Sequence, residues 1–349
     1  MKTMFIAVLS AAVVAAWPLT GQSDESSEPS AGAVLWRYEF DNDILAGSDD
    51  FFSAGWSLQR HGPDLASWDD QRMTGLSRWI GKSVPGISGA DGLRVHKGIG
   101  VVQIMQTPED LSQTELIEDD IPYAGALGVA NSWIALNDDR LNAFQVYVGV
   151  LGPASFAEQV QIFIHSDMGW GEDPMGWDNQ LGNEPLINLN YAMARKIASF
   201  GEKEAGFGAD IACGGGLGLG NLFTLAQLGV QGRFGWRLPQ GFTPVPDVAG
   251  RGVIMDPVLG DPLPGRSQFY FSVVARAAAV GYTVLLDGNT FEDSHSVAYD
   301  PYLAQLMFGV HFVRGAMGLH ATTYQSSNPV EESTKSDLSW GNFSFDYRF

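Results

Sequence analysis

The alternating pattern at the end of the chain limits more than any other feature what this sequence can fold into. The last seven residues alternate aromatic with polar side chains: Phe343, Ser344, Phe345, Asp346, Tyr347, Arg348 and Phe349. Side chains on a β-strand point alternately to opposite faces, so one face of this segment is entirely aromatic. In a membrane barrel that face meets lipid, and the polar face lines the lumen. The terminal strand of a soluble β-sandwich is the alternative interpretation.

Period-two segments of this kind recur along the chain and predict twelve strands. They lie at residues 33–42, 51–60, 93–106, 123–136, 142–151, 185–198, 205–218, 224–237, 268–283, 302–313, 315–325 and 338–349. The number is even, and each segment is near the roughly 9–11 residues that a tilted spanning strand needs. The sequence therefore predicts an all-β fold, a transmembrane antiparallel β-barrel of about 12 strands, formed by a single domain over residues 32–349.

The connections between these segments differ in length. The long ones lie at residues 61–92, 107–122, 152–184, 238–267 and 284–301, whereas others, such as 137–141, are tight. Outer-membrane barrels place long loops at one end and short turns at the other. We therefore expect the long connections to share one end of the barrel.

The N-terminus has the pattern of an exported protein. Lys2 precedes an apolar run that ends at Ala16 and is followed by a polar stretch. A short positive segment, an apolar stretch too short to span a bilayer and an exit of small residues are typical of a secretory signal peptide. We expect a signal peptide over residues 1–21, cleaved after residue 16 or 21, and a flexible lead-in over residues 22–31.

The charge balance excludes one class of partner. The chain carries 40 Asp and Glu residues against 20 Lys and Arg residues, a formal net charge of −20. Nucleic acid is not expected as a partner, because its phosphates attract patches of Lys and Arg. No segment after the N-terminus offers an apolar run long enough for a spanning helix. Cys213 is the only cysteine, so no internal disulfide is possible.

One segment departs from the strand pattern. Over residues 153–168 the apolar residues recur at helical spacing, and the proline at the start suits the first turn of a helix. Ser155 followed by Glu158 predicts a capping box. Gln161 and His165 lie one turn apart on the same face. The sequence therefore predicts a short helix in a long loop, with a histidine that is either functional or structural.

Oxygen-bearing side chains crowd the end of the first predicted strand. An Asp-Asn-Asp sequence at residues 41–43 closes the strand, and a second polar segment follows at residues 48–53. Carboxylate and amide oxygens at this density suit a hard cation such as Ca²⁺. An Asn-Asp pair is also ordinary turn chemistry. The spacing alone leaves a cation site and a turn as alternatives.

These clusters, together with further motifs in the same order, resemble the lipid A 3′-O-deacylase (LpxR-like) family of outer-membrane proteins. The matching segments lie at residues 39–44, 47–55, 107–110, 120–125, 152–154, 158–165, 176–184, 220–223, 286–290 and 293–295. The resemblance covers nearly all of the chain that follows the N-terminal segment.

The resemblance implies an outer-membrane esterase with its site near the surface of the outer leaflet. It would hydrolyse the ester that holds the 3′-acyloxyacyl chain of lipid A in lipopolysaccharide. His165 would be the general base, since an imidazole can take a proton from water near neutral pH. Asn42 would stabilise the oxyanion. Ser53 keeps a hydroxyl where the family has Thr, and Gln161 would orient the histidine ring or bind the metal.

The resemblance also implies a calcium site and two lipid-related partners. Asp43 and Glu172 would hold Ca²⁺, which would polarise the ester carbonyl. A basic residue of the family, useful for a lipid A phosphate, is replaced by Gln113. Outer-membrane lipid would surround the barrel, and the assembly machinery of outer-membrane barrels would read the terminal Phe349.

Two other functions stay open from the sequence. The same site could serve an outer-membrane phospholipase or another acylhydrolase. The chain could also be a non-catalytic barrel, a porin or a structural protein. The enzymatic hypotheses require His165, Asn42 and Asp43 to meet at one end of the barrel, whereas the non-catalytic one does not.

Overall fold

The computed structural model describes residues 34–42, 54–88, 92–167, 172–203, 205–243, 266–331, 333 and 335–349. These residues form a closed barrel of twelve antiparallel strands, in which each strand pairs with its neighbours in sequence and β1 pairs with β12. The fold predicted from the sequence is confirmed. The expected signal peptide (1–21) and the expected lead-in (22–31) lie outside the described residues.

The strands have nearly the bounds that the alternation predicts. They are β1 Leu35–Asn42, β2 Ala54–His61, β3 Arg94–Gln106, β4 Ala124–Leu136, β5 Arg140–Leu151, β6 Glu184–Gly201, β7 Phe207–Gly220, β8 Phe223–Trp236, β9 Ser267–Thr283, β10 Tyr302–Arg314, β11 Met317–Ser327 and β12 Asp337–Arg348. Three α-helices accompany them among the described residues: α1 Gly75–Ser83, α2 Ala157–Ile162 and α3 Val284–Asp287. In the part of the chain that the structure describes, no helix is both long and apolar enough to cross a bilayer.

The long connections do not all lie at one end of the barrel. Successive strands run in opposite directions, so their connections alternate between the end that carries Leu35 and Arg348, here the terminal end, and the opposite end, here the site end. The connections 62–93 and 237–266 follow β2 and β8, and both therefore lie at the terminal end. The expectation that all long loops share one end is wrong for these two connections.

The two faces of the strands differ as the alternation predicts. In β12, Ser344 and Asp346 are buried in the lumen, whereas Tyr347 on the outward face is exposed. Exposed aromatic residues also mark the outward face of five strands close to the terminal end. These residues, here the aromatic girdle, are Trp36, Phe207, Trp236, Phe269 and Tyr347. Phe349 is exposed as well, and its recognition by assembly machinery stays a prediction.

Side chains fill the lumen. Its site-end half is apolar, with Tyr324 stacked on Trp340 at 4.9 Å between ring centroids. Its terminal half is polar: the Arg37 guanidinium donates to both carboxylate oxygens of Asp346, at 2.7 and 2.9 Å. Helix α3 adds its apolar residues to the site-end cluster. Near the terminal end, Phe242 is buried against inward-facing residues of β4 and β5. This filling argues against the porin hypothesis.

Two long connections cover the outside of the barrel wall. The α1 loop (residues 62–93) packs on outward-facing residues of β3 and β4, including Val95 and Trp133. The α2 loop (residues 152–183) packs on the outward face of the same strands at the site end, where it meets Met105. An outward-facing residue that is buried is unusual in a membrane barrel, so these loops mark two specialised regions of the wall.

Candidate functional site

The α2 loop begins with two backbone positions that decide its shape. Gly152 has φ 85°, which glycine adopts without steric cost. Residues 153–155 then form a short 3₁₀-helix, and Phe156 is left-handed, with φ 58°. Helix α2 therefore begins only at Ala157, and a π-helical turn, Phe163–Asp167, continues it. The expectation of one helix from residue 153 is wrong because Phe156 interrupts it.

The predicted capping box is absent for the same reason. Ser155 lies in the 3₁₀-helix, and its Oγ accepts a long hydrogen bond, 3.4 Å, from the Ala157 amide. Helix α2 has no side-chain N-cap. Ser155 instead contributes its carbonyl oxygen to the attachment of the loop, because the Gln103 side chain on β3 donates to that oxygen at 2.6 Å.

Helix α2 packs tightly against the barrel wall. Ala157 lies over Gly125 of β4, where a Cβ on the glycine would collide with Ala157 and Ser155. Val160 on the next turn joins the apolar cluster of Met105 and Ala157. Phe40, on the outward face of β1, packs against the same cluster. The wall thus fixes the helix that carries Gln161 and leads to His165.

The Gln161 side chain is held by an indole. Gln161 is 1% exposed, and its Oε1 accepts a hydrogen bond of 2.7 Å from Trp177 Nε1. An indole N–H can only donate, so the amide oxygen must face Trp177 and the amide nitrogen must point elsewhere. That nitrogen is buried and has no hydrogen-bond partner among the described residues. Gln161 therefore presents an unused donor beside the helix.

The His165 ring has a defined tautomer. His165 is 8% exposed, and its Nδ1 lies 2.7 Å from the backbone oxygen of Glu172. A carbonyl oxygen can only accept, so Nδ1 carries the proton and donates. In the neutral ring this leaves Nε2 with a lone pair. The backbone at Glu172 thus orients the ring in the tautomer that a general base acting through Nε2 requires.

The strand end that carries Asn42 lies near this helix. Asn42 is the last residue of β1 and is buried. It shares the outward face of β1 with Phe40, which packs on the cluster that contains Ala157 and Val160. The structure therefore brings the Asn42 strand end to the same rim as α2. Asp43 and Ser53, the next predicted site residues, lie outside the described residues.

Glu172, whose backbone oxygen holds the His165 ring, is exposed. Within the described ranges, no three His, Cys, Asp or Glu side chains lie close enough together to hold a metal ion. Ca²⁺ accepts backbone and amide oxygens as well as carboxylates. The calcium site expected at Asp43 and Glu172 stays a prediction, because Asp43 lies outside the described residues.

The comparisons with known proteins identify the family. A family model described as outer membrane protein LpxR matches residues 4–349. The chain belongs to this family. Among solved structures, the chain is similar to LpxR from Salmonella typhimurium, with 14% sequence identity, a TM-score of 0.69 and coverage of 90% of this chain and 99% of that one. At that identity the match shows the fold alone. The family model, with the closed barrel, shows an integral protein of the outer membrane.

Other solved barrels match more weakly, and no curated protein sequence matches the chain. The chain is similar to the β-domain of the Bordetella autotransporter BrkA, at 10% identity and a TM-score of 0.44, over 92% of this chain and 100% of that one. It is also similar to the translocator domain of NalP from Neisseria meningitidis, at 10% identity and a TM-score of 0.31, over 100% and 96%. Such values carry no functional argument.

For this LpxR-family chain, sequence reasoning missed the residues that support the site. Trp177 holds Gln161, and Tyr123 packs on Trp177 with 5.0 Å between ring centroids. Burial raises the pKa of the Tyr123 hydroxyl above its ordinary value. Trp177 lies in the matching segment 176–184, but no spacing rule connects it with Gln161 because a loop separates them. Only the fold reveals this contact.

Proposed function

We propose that this LpxR-family chain is an outer-membrane esterase that removes the 3′-acyloxyacyl chain of lipid A. The observation that carries the proposal is the orientation of His165, whose Nδ1 is committed to the Glu172 carbonyl and whose Nε2 is therefore the basic atom. This arrangement and the family resemblance support the general-base role proposed for His165.

The proposed reaction is an ester hydrolysis. His165 Nε2 takes a proton from water as the water oxygen attacks the ester carbonyl. A tetrahedral intermediate forms with negative charge on the former carbonyl oxygen. The bond between the acyl carbon and the sugar oxygen then breaks, and the imidazolium returns the proton to that oxygen. The products are a free acyloxyacyl acid and a lipid A with a hydroxyl group at position 3′.

Two side-chain amides are proposed as donors to the oxyanion. The first is Asn42, assigned by resemblance, at a strand end close to α2. The second is Gln161 Nε2, which is buried and has no partner among the described residues. Because Gln161 Oε1 already accepts from Trp177, we favour a donor role for Gln161 over a metal-binding one. Ser53 is proposed to contribute its hydroxyl at the same rim.

Calcium is part of the proposal. When bound by Asp43 and Glu172, Ca²⁺ would supply positive charge for the ester carbonyl. Oxygen donors of these types are those that Ca²⁺ prefers. Hydrolysis by the purified protein in detergent should cease after thorough chelation and return with Ca²⁺. Undiminished hydrolysis after chelation would remove calcium from the mechanism and leave the assignment of His165 to be tested separately.

The surroundings of His165 suit an acylated substrate. Phe156 and Phe163, before and after α2, are 60% and 55% exposed. Met175 in the same loop is exposed as well. These apolar side chains lie on the outside of the barrel, where the wall faces lipid, rather than in the lumen. A substrate with acyl chains can therefore approach from the membrane, whereas a small soluble ester gains nothing from this apolar rim.

One observation keeps a phospholipase as the second candidate. Gln113 stands where the family has a basic residue, and its side-chain nitrogen donates to the Asp110 carboxylate at 3.0 Å. This position therefore offers no positive charge to a lipid A phosphate. Mass spectrometry of lipid A and of phospholipids from cells that express the protein separates the two functions. Loss of the 3′-acyloxyacyl chain supports deacylation of lipid A, and lysophospholipid with intact lipid A supports the alternative.

A further inference from the structure

Helix α1 lies on the outside of the barrel, close to the terminal end. Trp133 on the outward face of β4 donates from its indole to the Ser77 carbonyl oxygen at 3.1 Å. Gly81 lies directly against the Trp68 ring, and a Cβ there would collide with it. Thr74 caps the N-terminus by accepting from the Ser77 amide at 3.2 Å. The helix is therefore firmly docked on the wall, beside the region that contacts the membrane.

The side chains of α1 divide into three sectors. At about 3.6 residues per turn, Ser77 and Gly81 form the face that docks on the wall. Leu76 and Trp79 form one flank and are 66% and 65% exposed. Lys82, with Arg78, lies on the other flank, and its ammonium pairs with the exposed Asp69 at 2.6 Å. A helix with one docked face, one apolar flank and one charged flank fits the boundary between lipid and water.

The aromatic girdle gives this helix its context. Girdle residues on β1, β7, β8, β9 and β12 are exposed at the terminal end, as outer-membrane barrels require at an interface. On β3 to β5 the α1 loop covers the corresponding wall, and Trp133 and Phe144 lie beneath it, Phe144 only partly buried. In the covered arc, Trp79 is the exposed indole. In this arc Trp79 therefore supplies the exposed aromatic side chain that the buried Trp133 does not.

We propose that α1 is a membrane anchor that lies in the headgroup region of the leaflet at the terminal end. Its Leu76–Trp79 flank contacts the acyl chains of phospholipids, and its Lys82 flank faces water. We choose phospholipid as the partner because the apolar flank of α1 continues the lipid-facing surface of the same strands. That surface includes Ile99, Val101 and Val129, which are exposed on β3 and β4. The inference does not depend on the esterase activity, since the site lies at the other end of the barrel.

A spin label at position 79 tests the proposal. Cys213 is the only cysteine, so Cys213→Ser gives a background for single labels. Trp79→Cys and Leu76→Cys carry the label on the apolar flank, and Phe207→Cys carries it in the girdle. Arg72→Cys, at a side chain 54% exposed before the helix, is the aqueous control. Each protein is placed in vesicles of phosphatidylethanolamine and phosphatidylglycerol, and collisions with oxygen and with a water-soluble nickel chelate are measured.

The expected result is that labels 79 and 76 resemble label 207. Their collision rates with nickel should be several-fold lower than that of label 72, and their rates with oxygen higher, because oxygen dissolves in acyl chains. Equal nickel accessibility at positions 79 and 72 would overturn the proposal. Low accessibility to both reagents would also overturn it, since it would indicate that protein, such as a second copy of the chain, covers the helix. If Trp79→Cys does not fold, the label in Leu76→Cys provides the test.

Discussion

Two loops of the same length cover the same arc of the barrel wall, one at each end, and they differ in what they bring to it. The α1 loop (62–93) contains no histidine, and the docked face of its helix consists of small and apolar residues. The α2 loop (152–183) brings the Gln161 amide and the His165 imidazole to the wall and fixes both. Covering the wall is thus a structural solution that the chain uses twice.

The difference shows where chemistry is possible in this protein. Buried polar groups are normally paired, because an unpaired one costs about 1–3 kcal/mol. The α2 loop keeps Gln161 Nε2 without a partner among the described residues and leaves His165 Nε2 as an acceptor. The α1 loop also contains a buried nitrogen without a partner among the described residues, Arg78 Nε, but it has no histidine and presents an apolar flank of Leu76 and Trp79 to its surroundings. We therefore expect catalysis to respond to changes in the α2 loop and in the strand end at the same rim, but not to changes in the α1 loop, and the following experiments test that contrast.

The largest effect is expected for His165→Asn. Asn can still donate to the Glu172 carbonyl but cannot act as a base, so hydrolysis should fall by about 10²–10⁴. Folding, measured by heat-modifiable migration in gels, should persist. The control is His295→Asn, which alters another ring that binds a backbone carbonyl, that of Asp120 at 2.7 Å. Normal hydrolysis by folded His165→Asn would end the general-base mechanism.

A smaller effect is expected for Asn42→Ala. Loss of one oxyanion donor typically lowers kcat by about 10²–10³, and the membrane-inserted fraction should not change. Asn131→Ala is the control, because Asn131 is also on an outward face and accepts from Lys97 at 3.0 Å, but beside the α1 loop. Equal activity losses in the two variants would contradict a catalytic role for Asn42 and indicate general destabilisation of the wall.

A modest effect is expected for Trp177→Phe. Without the indole donor, Gln161 can rotate, and kcat should fall by about two- to tenfold, the equivalent of about 0.5–1.5 kcal/mol for one hydrogen bond. Trp68→Phe removes an equally buried indole donor in the α1 loop, where Nε1 bonds the Ile87 carbonyl at 2.6 Å. That control should retain full activity. A loss confined to thermal stability in Trp177→Phe would separate Trp177 from catalysis.

No change in the specific activity of folded protein is expected for Gly81→Ala. The added methyl group meets the Trp68 ring, and such overpacking costs about 1–3 kcal/mol in the free energy of unfolding. Urea titration in vesicles should detect this loss. Gly75→Ala, where a Cβ finds open space, should unfold like the unmodified protein. A matching fall in the hydrolysis rate of Gly81→Ala would show that the two loops are coupled through the wall.

The sequence predicts the barrel well because alternation is a local signal. Each strand must present apolar residues outward, and the alternation from Phe343 to Phe349 shows this pattern directly in the sequence. The position of the long loops was predicted wrongly for 62–93 and 237–266. Both follow an even-numbered strand, and such connections lie at the terminal end. The prediction used loop length alone, which suggested that all the long loops lie at the same end of the barrel. The helix was predicted, but its break at Phe156 was not, because a left-handed non-glycine residue has no reliable sequence signal.

The site itself was only partly accessible to sequence reasoning. Motif order and helical spacing identified Gln161 and His165 as a pair. Their functional orientation depends on Trp177 and on the Glu172 carbonyl, which come from a separate part of the loop. Backbone acceptors leave no trace in residue types, and the indole contact depends on how the loop folds back on β3 and β4. Tertiary contacts of this kind set the chemistry without any local pattern.

The bidentate pair between Arg37 and Asp346 has a consequence for how the barrel is completed. The two residues are directly opposite in the register of β1 and β12, the strands that join the beginning of the barrel to its end. A slip of one residue would turn Arg37 from the lumen into the bilayer. Closure in the wrong register would place the Arg37 charge in hydrocarbon, whereas closure in the observed register pairs it with Asp346. The pair therefore favours the closed barrel in which the first and last strands are paired in this register.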